Sequence, residues 1–202
     1  MTIFAGAFSL TNDGRLPESL RGALRAAVSR ADNEVIDEIR TDSLFFVKVD
    51  IGAFGAKGLH EDAYGNVTAI AGEPLIDAGE ADLSWNREKD TAALHPLLED
   101  GEWSGLSRCR GTFCGIHYST VHQSFSLFVD KVGVRPLYLW VGPSFIVFAT
   151  ALRILEAVND VPKEFDLRGV SEIAAFEYPL ADRTPYLGIP RCQTTCRVTD
   201  LN

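Results

Sequence analysis

Three short apolar runs, residues 125–129, 137–141 and 145–148, are separated by the turn-forming stretches 131–136 and Gly142-Pro143. Glycine frees φ and proline removes a donor, so the spacing predicts a three-strand meander. Both parities are apolar. Leu137, Leu139 and Val141 alternate with Tyr138 and Trp140, so neither face of such a sheet can lie against water. After Thr150 the period lengthens to three and four, and Ala151, Leu152, Ile154, Leu155 and Val158 form the stripe of an amphipathic helix that covers one face.

Other segments follow the same logic. Residues 3–10 predict a first strand, closed by the turn cluster Thr11-Asn12-Asp13-Gly14. Residues 17–31 put Leu20, Ala23, Leu24, Ala27 and Val28 on one helix face, with Arg21, Arg25 and Arg30 read as its solvated side. Strands are expected at 44–49, 67–71 and 112–118, the last forming a hairpin with 125–129 through 119–123. The glycines Gly52, Gly55 and Gly58 lack the Lys-Ser/Thr end of a phosphate-cradling loop. Asp90 reads as the N-cap of a helix, and Asp166 as the start of a last one through Val170, Ile173 and Ala174. Residues 1–178 are read as one domain and 179–202 as an irregular tail or linker.

Composition narrows the partners. A chain of 202 residues, 46% hydrophobic and 23% charged, can bury its own core. A net charge of -9 without a basic cluster speaks against nucleic acid and anionic membranes. No apolar run approaches the roughly 20 residues of a membrane span. No basic segment precedes the apolar N-terminal residues, so a cytoplasmic location is expected. The spacings of Cys109 with Cys114 and of Cys192 with Cys196 are not those of a zinc knuckle, and no metal is expected. His60 with Glu61 and Asp62 reads as a solvated turn, and His95, His117 and His122 as core or rim residues. Asp130 and Arg135 read as a cross-turn ion pair.

The segment Asp130-Lys131-Val132-Gly133-Val134-Arg135-Pro136-Leu137-Tyr138, with Phe148-Ala149-Thr150 and residues 152–157, resembles the D-R-x-G-x-x-P-L-Y and F-A-S-E-x-K-A-L block of the glutaminase domain of asparagine synthetases. The resemblance implies an α+β fold, a four-layer αββα sandwich of two mainly antiparallel sheets of the N-terminal-nucleophile hydrolase type. It also implies a class II glutamine amidotransferase chemistry, begun by a residue-two Cys whose own α-amine is the base.

Several stations depart from that pattern. Thr2 stands for the Cys and Ile3 for a Gly, so Thr2 is either a degenerate position or an alternative nucleophile. Ala71-Gly72-Glu73 replaces N-G-E, which keeps Gly72 as oxyanion-hole amide and removes the side-chain donor. Glu73 and Asp90 remain as substrate-binding positions, Asp90 matching the family's Asp for the glutamine amine. Leu44 to Val47 occupy the place of the carboxylate-clamping Arg, and Lys48 is the nearby cation. ATP and Mg would belong to a synthetase domain carrying an S-G-G-x-D-S loop, and that loop does not occur in this sequence. The expected partners are that synthetase domain, in cis or trans, and a precursor peptide, because the segments 50–53 and 71–74 resemble the lasso-peptide cyclase branch. The resemblance thus implies a scaffold with a decayed ammonia site. An active amidohydrolase using Thr2 and a peptide-binding module are the alternatives.

Overall fold

The computed structural model describes residues 2–11, 14–30, 34–50, 57–76, 86–193 and 196–198. In chain order the elements are β1 (Ile3–Ser9), α1 (Glu18–Val28), β2 (Val35–Arg40), β3 (Leu44–Asp50), β4 (Leu59–Glu61), β5 (Val67–Gly72) and α2 (Arg87–Glu99). A 3-10 turn (Trp103–Arg108), β6 (Phe113–Ser119), β7 (Ser124–Val129), β8 (Tyr138–Val141), β9 (Phe145–Ala149), α3 (Leu152–Ala157), α4 (Leu167–Phe176) and β10 (Cys196–Val198) follow. The strands form two five-stranded antiparallel sheets, ordered β2-β3-β1-β9-β8 and β10-β7-β6-β5-β4. Each sheet belongs to its own compact unit, residues 1–51 with 136–193 and residues 52–135 with 194–200. The class is mixed α+β, as the resemblance implies.

β1 is the central strand of the first unit, and its small residues set how closely its neighbours approach. A Cβ on Gly6 would run into the Phe148 ring and the Phe45 carbonyl oxygen. On one face, Leu20, Leu24 and Val28 of α1 and Ile154 and Leu155 of α3 pack on Ala5, Ala7, Phe45, Val47 and Val147. The opposite parity is apolar and buried too: Phe4, Phe46 and Phe148 are inaccessible to solvent. In the second unit, Leu94 and Leu98 of α2 meet Ile70, Phe113 and Phe128. The predicted hairpin forms with Ser119 opposite Ser124.

Four expectations are overturned. Residues 125–129 do not join 138–141 and 145–149 in a meander, since β7 lies in the second sheet and β8 and β9 in the first. The turn between them explains the switch. The buried Asp130 carboxylate accepts from the backbone N–H groups of Phe113 (3.2 Å), Val132 (3.1 Å), Val134 (3.2 Å) and Arg135 (3.4 Å). It therefore organises backbone instead of serving chiefly as a guanidinium partner. The strand β2, unanticipated, lies outside β3. Asp90 is not the cap of α2: Asn86 is, its Oδ1 accepting from Glu88 N (3.0 Å) and Lys89 N (3.2 Å). Arg21, placed on the solvated face of α1 by its sequence, is buried.

α4 turns its polar side inward. Its buried positions are Gly169 and Glu172, whereas Leu167, Val170 and Phe176 are 78%, 39% and 53% exposed. Glu172 accepts from Arg183 Nη2 (2.5 Å) and Nε (2.8 Å), from Leu180 N (2.9 Å) and from Arg168 Nε (3.3 Å). The Arg183 guanidinium, together with Leu180 N–H, holds the Glu172 carboxyl down at about 2. A depressed carboxylate stabilises above its unfolded pKa and stops doing so as the pH falls through the folded value. The contact between α4 and residues 180–183 is thus expected to loosen between about pH 4 and pH 2. Hydrogen exchange at Leu180 checks this, with Glu172→Gln loosened at every pH.

Candidate functional site

Thr2 enters β1 opposite Asp50, continuing the register in which Ile3 faces Val49 and Phe4 faces Lys48. Alternation along β3 places Lys48 and Asp50 on the face that Thr2 shares. Thr2 is 5% exposed. Its Oγ1 donates to Asp50 Oδ1 at 3.2 Å, Lys48 Nζ donates to Asp50 Oδ2 at 3.2 Å, and the Asp37 carboxylate of β2 lies 3.9 Å from Nζ. A fully buried ammonium is tolerable only with such compensation. Lys48, the cation nearest the expected carboxylate clamp, is engaged by two carboxylates of its own chain.

Gly72, Glu73 and Asp90 come together in the second unit. Gly72 ends β5 opposite Phe113 with φ of 102°, a conformation that L side chains rarely adopt. A Cβ there would strike the Thr112 carbonyl oxygen and lie 2.9 Å from both Arg135 Nε and Phe113 Cα. Glu73 N donates to Thr112 O at 3.1 Å, which fixes the chain as it leaves the strand. Ala71 is buried opposite Cys114 and offers no side-chain donor. Asp90 lies in the first turn of α2, and burial raises its carboxyl pKa although the backbone N–H groups of Ile76 and Leu75 hydrogen-bond to it. Asp90 thereby ties the loop after Glu73 to the helix.

The same turn of α2 brings in Arg87, which sequence reasoning passed over. Its side chain is buried, Nη1 stands 3.7 Å from Glu73 Oε1, and a Cβ on Gly58 would lie 3.0 Å from its Cδ. The signal was available in Asn86: with the cap there, Arg87 and Asp90 fall three residues apart on one helix face. The segment 51–53 and the tail beyond Val198 lie outside the described residues. Among the described residues no His, Cys, Asp and Glu group suits a metal ion, and no helix is long and apolar enough to cross a membrane. Burial pushes the Cys109 thiol up to about 11, which leaves it protonated and unreactive.

His95 and His117 are buried, in keeping with the core or rim reading, and the fold also links all four histidines into one cluster in the second unit. Thr68 Oγ1 meets His95 Nδ1 at 2.8 Å and His117 Nδ1 at 2.9 Å. His117 Nε2 faces Glu99 Oε2 at 3.1 Å, His122 Nε2 is 3.7 Å from Glu99 Oε1, and Ser119 Oγ donates to Glu99 at 2.8 Å. His95 Nε2 is 3.5 Å from Asp62 Oδ2, and the His60 ring centroid is 4.7 Å from that of His95. One hydroxyl carries one proton, so one imidazole donates to Thr68 and the other accepts from it. Burial lowers the pKa of His95, against the opposing pull of Asp62. The unfolded chain therefore takes up the proton first, and stability is complete above about pH 6.5 and declines as the pH falls toward the folded value. Thermal melts between pH 8 and pH 5 are expected to show this decline, flattened in His95→Gln.

Comparison with known proteins gives this geometry a family. The profile of a family described as a glutamine amidotransferase domain matches residues 77–200. Among solved structures, glutamine phosphoribosylpyrophosphate amidotransferase from B. subtilis, complexed with ADP and GMP, aligns with a TM-score of 0.52 at 14% identity, over 78% of this chain and 43% of that one. A structure of the allosteric regulatory enzyme of purine biosynthesis aligns with a TM-score of 0.53 at 12% identity, over 99% of this chain and 47% of the other. The chain thus spans less than half the length of either. No curated protein sequence matches it. At these identities the structures speak for the fold alone, whereas the family profile covers more than half of the sequence: the chain belongs to the glutamine amidotransferase domain family, of the class II type and with an N-terminal-nucleophile hydrolase-like fold.

Proposed function

We propose that this domain is the glutaminase-like part of an ATP-dependent amide-forming enzyme of the asparagine synthetase type, with its ammonia-producing site degenerate and its fold retained as a scaffold. The observation that carries this reading is the Thr2 hydroxyl bound to Asp50, which is itself held by the buried Lys48. A carboxylate is a weak base for a hydroxyl proton, and Thr2 is nearly closed to solvent. Ala71 supplies no oxyanion donor, and Arg87 has Glu73 within ion-pair range. Within the family, the lasso-peptide macrolactam cyclase branch fits best. There ATP activates a carboxylate and a peptide amine attacks it, so ammonia has no part. ATP and Mg would sit on the synthetase domain, and a precursor peptide would be the substrate.

The outward apolar stripe of α4 supports the scaffold role. Leu167, Val170 and Phe176 of α4 are apolar and exposed, as are Tyr178 and Leu187 beyond it, and exposed apolar side chains of this kind mark docking surfaces. Its expected occupant is the synthetase domain. The experiment is co-expression with the S-G-G-x-D-S-containing synthetase frame of the same genome. Co-purification that is lost in a Leu167→Glu, Val170→Glu double variant supports the reading. A synthetase that forms its amide equally well without this domain would end it.

A second reading has one observation in its favour. A buried lysine beside a threonine is a recurrent way to activate a hydroxyl, and Lys48 shares the Asp50 carboxylate with Thr2. On that reading the domain is an amidohydrolase with Thr2 as nucleophile. Ammonia release abolished by Thr2→Ala would select it over the scaffold.

A further inference from the structure

Arg21 is the one arginine of α1 that the sequence places in water and the fold buries, with 7% of its surface exposed. Its Nη2 donates to the carbonyl oxygens of Thr41 (2.9 Å) and Asp42 (3.1 Å), and its guanidinium carbon stands 5.9 Å from the centroid of the Phe45 ring. These contacts fix the group. Its Nε and Nη1 are buried and have no hydrogen-bond acceptor among the described residues. Leaving charged donors buried without acceptors is costly, so this arrangement is incomplete as it stands.

Arg21 lines a cavity of about 520 Å³ in the first unit, together with Arg15, Glu18, Arg40, Thr41 and Asp42. Three arginines face two carboxylates there, a local excess of positive charge in a chain of net charge -9. Glu18 shows where an anion belongs. Its Oε2 accepts from Arg40 Nη2 at 2.6 Å and stands 4.0 Å from Arg21 Nε, in ion-pair range of both but too far from Arg21 for a hydrogen bond. The Glu18 and Arg40 side chains are 70% and 54% exposed, and an ion pair so open to water is weak and easily displaced.

We propose that this cavity binds the phosphate group of a small phosphorylated molecule, which displaces the Glu18 carboxylate and takes the position between Arg40 and Arg21. The guanidinium fork matches phosphate oxygens better than an ammonium does, and arginines from α1, from the segment before it and from the end of β2 approach from different directions. The cavity's volume suits a ligand of mononucleotide size. The phosphate comes either from inorganic phosphate or from a phosphate ester.

Titration calorimetry on the full chain at constant ionic strength tests this, with inorganic phosphate, uridine monophosphate and uridine as probes. Saturable binding of uridine monophosphate, competed by phosphate and absent for uridine, is the expected result. Tighter binding of the ester identifies an ester as the ligand source, and equal affinity identifies the free ion. Arg40→Ala is expected to weaken binding about tenfold, and Glu18→Gln to strengthen it several-fold by removing the competing carboxylate. Both positions are exposed, so circular dichroism melts should show the variants folded. Absence of saturable binding at millimolar phosphate and nucleotide overturns the proposal. So does affinity that is unchanged in Arg40→Ala.

Discussion

Given glutamine, the purified protein is expected to release ammonia no faster than its Thr2→Ala variant. Three independent features act in the same direction. Thr2 offers a hydroxyl, a poorer nucleophile at neutral pH than the thiolate that class II chemistry begins from. That hydroxyl already donates to Asp50 and lies beneath the surface. By the resemblance, Ala71 stands where the side-chain oxyanion donor would be, and losing one such donor lowers turnover by roughly 10² to 10³. The measurement is ammonia release by both proteins, after intact mass has established whether Met1 is retained, because Thr2 can use its own amine only without it. Equal background in both agrees with the scaffold reading. Thr2→Cys separates the remaining causes: a variant that stays inactive locates the defect in substrate binding as well as in the nucleophile.

Gly72→Ala is expected to lose more than about 4 kcal/mol of stability or fail to fold, among the largest effects of any single substitution in this chain. The glycine combines two constraints. Its φ of 102° is unfavourable for an L side chain, and the added Cβ would meet the backbone at Thr112 and Phe113, where nothing can rotate away. Gly101 provides the control. Its φ of 75° carries conformational strain, but no atom lies within 4 Å of a Cβ placed there, so Gly101→Ala should cost only about 1 kcal/mol. Chemical denaturation of the two variants checks the pair. Similar losses in both would mean that the close approach of β5 to β6 at Gly72 is unimportant.

The candidate site was legible where function depends on local sequence and obscure where it depends on pairing. Gly72, Glu73 and Asp90 were singled out by the resemblance, and the fold places them in one unit, where one turn of α2 holds the loop that follows Glu73. Arg87 was missed because the helix start was assigned to Asp90 instead of Asn86. No spacing along the chain could have joined Thr2 to Asp50 or Lys48 to Asp37, since those contacts pass between strands and depend on register. The histidine cluster is of the same kind, drawn from β4, β5, α2, β6 and the hairpin turn after it.

The family resemblance implied the α+β class, and alternation, periodicity and turn residues by themselves determined the existence of most strands and helices and the burial of both sheet faces. These follow from side-chain periods of two and 3.6, which are properties of a segment alone. Only the tertiary structure decided that β7 leaves β8 and β9 for another sheet, that Arg21 is buried and that α4 turns Glu172 inward and its leucine and valine outward. Apolar character says that a residue needs a partner and not which one, and a salt bridge such as Glu172 with Arg183 can outweigh a helix's apolar stripe only where the fold brings the two charges together.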